Sequence, residues 1–364
     1  RSYSASTNLD LSAQVTYDDE LTSDMFTLEL LDSEGNVLAT KTNGLDGTVT
    51  FNSITYTNEV GTYNYVIRMN SNPISHVSLD TNTFNVKVVI SDNKDGSLGK
   101  QVTITNKLDE EVDRMVFNNI FIPDGLMITN TNDSKYVDSN KEFKYTVTIS
   151  DSVPGEYKLF NGNKEDIGTL TILEDGTAEK EFVLKSDEKL LIVNLPVGSK
   201  YTILKEKVNY YTETSDGATE TEDGLVVTGT LEESSKEVKF NNNYVTSGNA
   251  VITSTVGLDG TTLSGDDFRF NLSLITSAGN ELVSTISNDI NGNIVFPKLN
   301  FDKPGVYKYQ ISEVDLGDRH FTYDSNLIFL TVTLTDNGDN TMDAKVEVTS
   351  DVKSFMNSFS ATIP

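Results

Sequence analysis

The 364-residue sequence contains no cysteine and only two histidines. Without cysteine, disulfide bonds, thiolate catalysis and zinc–sulfur sites are excluded. His76 and His320 are far apart, in predicted loops before Asp80 and Asp324, and we do not expect them to share a metal site. No apolar run approaches the roughly 20 residues that a membrane helix needs. We therefore expect no enzyme, no metal, no cofactor and no membrane insertion in this segment.

Basic residues are also scarce, because 28 Lys and Arg stand against 55 Asp and Glu, for a net charge of −27. This charge argues against nucleic acid and anionic membranes as partners, since both favour a basic face. It predicts a soluble chain that repels itself and stays extended at low salt. The 37% of hydrophobic residues, with 17 Phe and 15 Tyr, predict a folded protein. The length predicts about two to three domains.

Short runs of alternating apolar residues dominate the sequence. Phe84, Val86, Val88 and Ile90 occupy every second position, and Tyr307, Tyr309 and Ile311 do the same. Period two with many β-branched and aromatic residues is typical of half-buried strands. Turn signals such as Asp46-Gly47 and Asn291-Gly292 separate the runs. The pattern predicts an all-β protein built from antiparallel sandwiches.

The sequence also repeats in the order A–B–A. Gly61-Thr62-Tyr63-Asn64-Tyr65-Val66-Ile67 returns as Gly305-Val306-Tyr307-Lys308-Tyr309-Gln310-Ile311, whereas the stretch between the copies differs. Each unit closes on a similar phrase that begins at Phe117, Phe240 or Phe355. We predict three domains, at residues 1–122, 123–245 and 246–364, as beads that contact mainly their neighbours.

The ends of the sequence suggest a piece of something longer. It opens at Arg1 without an initiator Met, and it ends at Ile363-Pro364, where a second copy of domain B would begin. We expect a fragment of a longer tandem array whose neighbouring domains are its first partners.

The phrases quoted above resemble the stalk domains of Gram-positive pilins and adhesins of the Cna protein B-type class. The resemblance covers essentially the whole chain. It rests on the Leu263-to-Phe268 strand opening, the run from Tyr307 to Val314, the Asp324 turn and the closing Phe-x-Asn-x-aromatic phrase. The two A domains look like the streptococcal pilin isopeptide-linked subtype, and domain B looks like a related subtype. The resemblance implies three tandem Ig-like (Cna B-type) antiparallel β-sandwich domains in an elongated array.

The family's device is an intramolecular Lys–Asn isopeptide bond between the first and last strands, promoted by a buried Glu on a middle strand. A buried neutral amine can attack the carboxamide while a protonated carboxyl polarises its carbonyl and shuttles the proton. The bond would tie both terminal strands together covalently. Pulling on the ends could not then unzip the sheet between them.

Carrying these positions over residue by residue shows that no domain has the full triad. The expected Lys, Glu and Asn positions hold Gln14, Met69 and Asn119 in the first domain, Asn130, Lys205 and Asn242 in the second, and Val256, Glu313 and Asn357 in the third. The Lys is missing in all three domains, and the Glu is missing in two. The replacements are too varied for a deliberate knock-out, so we interpret them as natural divergence. We predict no isopeptide bond at the usual sites.

Two of these groups leave alternatives open. Glu313 with Asn357 is either an acceptor for a Lys of another chain or, as we favour, a relict pair hydrogen-bonded in the core. Lys205 either forms a rearranged bond to Asn130 or Asn242 or, as we favour, snorkels to the surface or donates hydrogen bonds to amides. Glu206 is adjacent to Lys205 but is predicted to face the other side of the strand.

Acidic turns and one long loop are the remaining candidates for ligand binding. The turns at residues 92–96, 336–340 and 216–223 could bind calcium, but none has EF-hand spacing, and we favour ordinary hairpin turns. The polar stretch from Thr212 to Asp223, after Asn209-Tyr210-Tyr211, is the stretch most typical of a long loop, and any ligand site is expected there because ligand sites prefer loops.

The sequence as a whole favours a mechanical function. We predict a structural stalk region of a cell-wall-attached, extracellular adhesin or pilin, which projects a binding head or forms a fibre. The alternative is a region that itself binds a host surface protein or glycan, through the loops of domain B.

Overall fold

The computed structural model of the chain describes residues 4–364; Arg1, Ser2 and Tyr3, where the sequence opens, lie outside this range. The described residues form 33 strands and no helix, so the all-β prediction is confirmed. Within the same range, no helix could therefore serve as a membrane span. The chain divides into two compact units, one ending at Tyr244 and the other beginning at Val245.

The first unit contains two sandwiches of eleven strands each. The strands of the first sandwich are β1 (Ser6–Leu9), β2 (Ser12–Tyr17), β3 (Thr27–Leu31), β4 (Val37–Thr42), β5 (Thr48–Thr50), β6 (Ile54–Thr57), β7 (Gly61–Met69), β8 (Val77–Ser78), β9 (Thr83–Asp92), β10 (Leu98–Thr105) and β11 (Val116–Phe121). The strands of the second are β12 (Gly125–Asn132), β13 (Phe143–Ser150), β14 (Gly155–Asn161), β15 (Asp166–Ile172), β16 (Ala178–Leu184), β17 (Lys189–Val193), β18 (Lys200–Glu206), β19 (Tyr211–Thr214), β20 (Thr219–Glu220), β21 (Gly224–Thr230) and β22 (Ser235–Tyr244).

The second unit contains the third sandwich. Its strands are β23 (Gly248–Ala250), β24 (Thr253–Asp259), β25 (Arg269–Thr276), β26 (Gly279–Ser287), β27 (Asn293–Val295), β28 (Leu299–Phe301), β29 (Gly305–Glu313), β30 (Phe321–Thr322), β31 (Ile328–Asp336), β32 (Met342–Val348) and β33 (Phe355–Phe359).

The first and third sandwiches have the same sheet topology. The first has sheets of order β10-β9-β7-β3-β4 and β5-β2-β11-β8, and the third has β32-β31-β29-β25-β26 and β27-β24-β33-β30. A two-stranded pair, β1-β6 or β23-β28, accompanies each. The second sandwich is built differently, from β15-β14-β17-β12-β22-β19 and β16-β13-β18-β21-β20. The sequence repeat A–B–A is thus also a repeat of strand order.

The sequence pattern predicted antiparallel sandwiches, but each sandwich also contains one parallel pair of strands. In each of them an early strand pairs in parallel with the last strand: β2 with β11, β12 with β22, and β24 with β33. The closing Phe lies opposite Val15, Asn130 or Val256 in these three pairs. Parallel partners so far apart in the sequence need a long crossover, which the intervening strands provide.

Each sandwich has its own apolar core, because alternate residues of its strands point inward. In β9 and β31 every second side chain is buried. The centre of each core holds a fully buried closing phenylalanine, Phe117, Phe240 or Phe355. Phe117 packs edge-on against Phe84, and Phe240 packs edge-on against Tyr145. The strand that closes each sandwich is therefore anchored in the core by its phenylalanine.

Two turn glycines allow a hairpin to lie directly against the backbone of the early strand, β2 or β24. Gly47 and Gly292 have φ values of 85° and 81°, in the left-handed region that favours glycine. A Cβ on Gly47 would lie 2.3 Å from the carbonyl oxygen of Val15, and one on Gly292 would lie 2.3 Å from that of Val256. The Asp-Gly and Asn-Gly signals in the sequence therefore mark positions where only glycine fits.

The two sandwiches of the first unit share a polar junction around Glu237. Its carboxylate accepts hydrogen bonds from Ser78 Oγ of the first sandwich and Thr129 Oγ1 of the second, both at 2.7 Å. Lys189 Nζ and Lys239 Nζ each lie 3.5 Å from the same carboxylate. The side chains of Lys189 and Glu237 are only 11% and 10% exposed, and burial lowers the pKa of Lys189. A buried acid with two cations and two hydroxyl donors is well paired, as such burial requires.

Neighbouring residues of β33 allow a matched test of the closing strand. Phe355 is 1% exposed and Met356 is 56% exposed, because successive side chains point to opposite faces. We expect Phe355→Ala to lower the free energy of unfolding of the second unit by about 3–5 kcal/mol, since it leaves a large cavity. Met356→Ala should change it by less than about 0.5 kcal/mol. Urea unfolding measures both, and equal effects would show that Phe355 does not anchor the strand.

Candidate functional site

The candidate site is the place where the early parallel strand, the last strand and a middle strand of the opposite sheet meet in each sandwich. We call it the triad site. It contains Met69 and Asn119 in the first sandwich, Asn130, Lys205 and Asn242 in the second, and Val256, Glu313 and Asn357 in the third. All are buried except Glu313, which is partly exposed.

The structure places Gln14 outside the triad site of the first sandwich. Its neighbour Val15 lies opposite Phe117 and is fully buried, in the position that Val256 has opposite Phe355. Gln14 instead donates a hydrogen bond from Nε2 to the carbonyl oxygen of Asp46 at 2.6 Å. A shift of one residue along a strand moves a side chain to the other face. The expected position of the Lys is therefore Val15 rather than Gln14.

The remaining members of the first triad site have no cross-linking chemistry. Met69 packs in the apolar core. Asn119 Oδ1 accepts from the backbone N–H of Asp80 at 2.9 Å, and its Nδ2 donates to the carbonyl oxygen of Thr16 at 3.2 Å. The buried amide is thus satisfied by backbone groups, and it ties the last strand to the Asp80 turn.

The third triad site holds a carboxyl against an amide. Asn357 Nδ2 donates to Glu313 Oε2 at 2.6 Å, and the Asp324 N–H donates to Asn357 Oδ1 at 2.9 Å and to Glu313 Oε1 at 3.3 Å. Val256, 4% exposed, contributes only apolar surface. Burial raises the pKa of Glu313 to about 7, against the hydrogen bonds from Asn357 and Asp324, which lower it. An acid and an amide are in place, but no amine is present.

The second triad site contains three asparagines in contact. Asn242 Nδ2 lies 2.8 Å from Asn130 Oδ1 and 3.0 Å from Asn132 Oδ1. Asn130 also accepts from the Tyr145 hydroxyl at 2.6 Å, and its Nδ2 donates to the carbonyl oxygen of Lys185 at 2.9 Å. Among the described residues, Asn242 Oδ1 is buried without a hydrogen-bond partner. The structure thus brings Asn130 and Asn242 together, as the sequence positions suggested.

Lys205 extends into this site from the opposite sheet. Its side chain is completely buried and contacts the Glu213 carboxylate, which is 8% exposed. Its Nζ lies 4.5 Å from the centre of the Phe143 ring. The interpretation that Lys205 snorkels to the surface is therefore wrong, because its ammonium group ends against a buried acid. Glu206 is exposed, as predicted.

Glu213 is the residue that the sequence analysis missed. It lies on β19, which pairs with the last strand so that Glu213 is directly opposite Asn242. The alternation of Tyr211 and Glu213 with exposed Thr212 and Thr214 was the available signal, since period two indicates a strand. The stretch from Thr212 to Asp223 is accordingly not one long loop. β19 and β20 occupy part of it, and only residues 215–218 and 221–223 of the stretch lie outside strands.

The surroundings of Lys205 lower its pKa. Burial lowers the pKa of Lys205, while the adjacent Glu213 carboxylate acts in the opposite direction. Burial also raises the pKa of Tyr145 well above its usual value, with a further contribution from the charge of Glu213. An apolar core disfavours the charged form of an amine unless a counter-ion lies beside it, as Glu213 does here.

The carboxylates of the acidic turn at residues 92–96 accept hydrogen bonds from nearby backbone N–H groups. Asp92 accepts from the N–H of Lys94 at 2.8 Å, and Asp95 accepts from that of Ser97 at 3.0 Å. His76 and His320 each pair with an aspartate of their own surroundings, Asp124 and Asp318. Between residues 4 and 364, no group of three or more His, Asp or Glu side chains is arranged to hold a metal ion.

Comparison with protein families gives two matches. Residues 8–122 and 252–360 match the family FctA, described as Spy0128-like isopeptide containing domain. Residues 124–244 match a family described as Domain of unknown function (DUF7601). No curated protein matches the chain.

Solved structures of similar chains come from pili. The major pilin of Streptococcus pyogenes is 17% identical and covers 65% of this chain and 98% of its own, with a TM-score of 0.26. The major pilin T3.2 of S. pyogenes serotype GAS13637 is 18% identical, with coverages of 66% and 99% and a TM-score of 0.27. The pilus-presented adhesin Spy0125 (Cpa) is 11% identical, with coverages of 64% and 99% and a TM-score of 0.26. Identities and TM-scores this low support no inference about this chain, so the family assignment rests on the family match alone.

The raised pKa of Glu313 gives a direct titration test. We expect its carboxyl carbon, observed by NMR and assigned by its loss in Glu313→Gln, to titrate with a midpoint of about 7. The unfolded chain releases this proton at lower pH than the folded chain. The contribution of Glu313 to the stability of the second unit, measured as the difference from Glu313→Gln, should therefore fall as pH rises from the ordinary Glu range to about 7 and should change no further above that. A midpoint at an ordinary Glu value would contradict the burial that the structure assigns to this carboxyl.

Proposed function

This chain belongs to the Spy0128-like isopeptide containing domain family of Gram-positive pilin stalk domains, and from that premise we propose that it is a load-bearing stalk segment without the usual Lys–Asn bonds. The family match covers the first and third sandwiches. Membership implies an extracellular, cell-surface protein with a structural role in a pilus or adhesin. The stalk would project a binding head or form a fibre.

The parallel pairing of early and last strands is the observation that carries the proposal. When the two ends of such a sandwich are pulled apart, β24 and β33 are drawn past one another along their length. Their hydrogen bonds are then strained together rather than one after another. The same arrangement occurs at β2 with β11 and at β12 with β22. A chain that repeats this pairing three times is suited to bearing tension between its ends.

In the first and third sandwiches, noncovalent contacts in place of the usual covalent bond would hold the early and last strands together. Neither triad site holds a lysine, since the positions opposite the closing phenylalanines are Val15 and Val256. The buried amides of Asn119 and Asn357 fix the last strand to the Asp80 and Asp324 turns. These amides, with the core packing of Phe117 and Phe355, support a stalk whose strength comes from hydrogen bonds and packing.

The proposed setting is the cell wall of a Gram-positive bacterium. Neighbouring domains of a longer chain would be the main partners, and the junction around Glu237 is an example of such contact between successive sandwiches. The role includes no catalytic turnover and no cofactor. Attachment to the wall and any contact with a host protein or glycan belong to the proposal rather than to the family assignment.

Force spectroscopy on the whole chain tests the absence of the usual bond. Pulled by its ends, the third sandwich should unfold in one step that frees the roughly 100 residues between Val256 and Asn357, at about 3.6 Å per residue. Val256→Lys should restore the missing amine beside Glu313 and Asn357. Relative to the unaltered chain, that variant should lose one ammonia, about 17 Da, when the bond forms. The unfolding step of the third sandwich should then disappear.

Val256→Met is the matched control, because it adds a long side chain without an amine. It should keep the full unfolding step and show no additional loss of ammonia. If the unaltered third sandwich already fails to extend, a covalent bond is present and the proposal of an unlinked stalk domain is wrong.

A further inference from the structure

We propose that the second sandwich contains an intramolecular amide cross-link between Lys205 Nζ and Asn242 Cγ, formed with Glu213 as the proton-transferring acid. The bond would join the two sheets of the sandwich. In the arrangement implied by the resemblance, by contrast, the amine lies on the first strand and the bond stays between the terminal strands. Here the amine comes from the middle strand, where the resemblance expects the acid. The sandwich matches a family whose function is undefined, and that match assigns no bond to it.

Three functional groups converge at one point of a closed core. The Lys205 side chain is fully buried and contacts Glu213. Glu213 is directly opposite Asn242 on the neighbouring antiparallel strand, and side chains in such pairs are about 4.5–5.5 Å apart at Cβ. Asn242 is fully buried. An amine, a carboxyl and a carboxamide therefore lie within one side chain's reach of one another, away from water.

Asn242 is the acceptor that the hydrogen bonds favour. Its Oδ1 is buried and has no partner among the described residues, which is unfavourable if nothing relieves it. Asn130, in contrast, has both ends of its amide engaged, by Tyr145 and Asn242 at Oδ1 and by Lys185 at Nδ2. A protonated Glu213 opposite Asn242 would supply the missing donor and polarise the carbonyl for attack.

The reaction balances without any other reagent. Lys205 first gives one proton to Glu213, which leaves a neutral amine and a neutral acid. The amine nitrogen attacks Asn242 Cγ, a C–N bond forms, and the Cγ–Nδ2 bond breaks. Glu213 passes its proton to the leaving nitrogen and takes one proton from the attacking nitrogen, so that ammonia departs, the new amide keeps one N–H, and Glu213 ends with the proton that Lys205 first gave it.

The site also explains why a lysine is buried here at all. Removing the charge of a lysine from water is unfavourable unless the charge is well paired. The aromatic rings of Phe143 and Tyr145 lie beside Nζ, at 4.5 and 6.0 Å from their centres, and they exclude water from the reacting groups. Conversion to an amide would remove the charge permanently and leave a cross-link between β18 and β22.

High-accuracy mass spectrometry of the whole purified chain tests the cross-link. We expect a mass one ammonia, about 17 Da, below that of the sequence, and a branched peptide that joins Lys205 to Asn242 after digestion. Lys205→Met and Asn242→Ala should each have the full mass of their own sequences, and Glu213→Gln should form little or no bond. Lys189→Met is the matched control, because Lys189 is the other mostly buried lysine paired with a glutamate in this sandwich. That variant should keep the deficit.

Several outcomes would overturn the proposal. An unmodified wild-type mass would show that Lys205 and Glu213 form a buried ion pair only, and this result needs no variant. A loss of about 18 Da would indicate an amide to Glu213 instead. A branched peptide ending at Asn130 or Asn132, or an ammonia loss located at Asn291-Gly292, would also refute it. The proposed stalk function gives the bond a mechanical use but is not needed for the bond to form. The force experiment on the third sandwich tests the stalk function separately, so either proposal can fail without the other.

Discussion

The parallel pairing of an early strand with the last strand is the constraint on which the rest of each sandwich depends. It brings together segments about a hundred residues apart, and such long-range pairing carries a large loop-closure entropy. It also buries the closing phenylalanine opposite a fixed position of the early strand. A load along β24 and β33 draws these two strands past one another. The family's covalent device, where present, acts across the same pair.

The three sandwiches solve one structural problem with different chemistry. The last strand always brings a buried asparagine into the core, and a buried amide must find partners. In the first sandwich Asn119 finds them in the backbone alone. In the third, Asn357 shares them with Glu313, whose burial keeps its pKa near 7. In the second, Asn242 leaves its carbonyl oxygen without a partner beside a buried amine and acid, which is the feature that singles out this sandwich.

Most of the fold could be predicted from the sequence, because period two and turn glycines are local signals. Gly47 and Gly292 marked the tight hairpins, and the A–B–A order matched the order of strands in the sheets. The parallel register was not predictable, since it depends on contacts remote in sequence. Counting residues therefore put Gln14 where Val15 lies. Glu213 was missed because polar residues and the short β19 resembled a loop, and its role depends on the strand opposite it.

The most direct test of the mechanical account compares two directions of pulling on the third sandwich. The chain has no cysteine, so pairs of introduced cysteines give specific handles. Val251→Cys with Ala361→Cys loads β24 and β33 along their length, whereas Leu327→Cys with Asp351→Cys peels the β31–β32 hairpin from its open end. If the parallel pair bears the load, the first pair of handles will require a several-fold higher force than the second. Equal forces, or a weaker response along β24 and β33, would contradict the account.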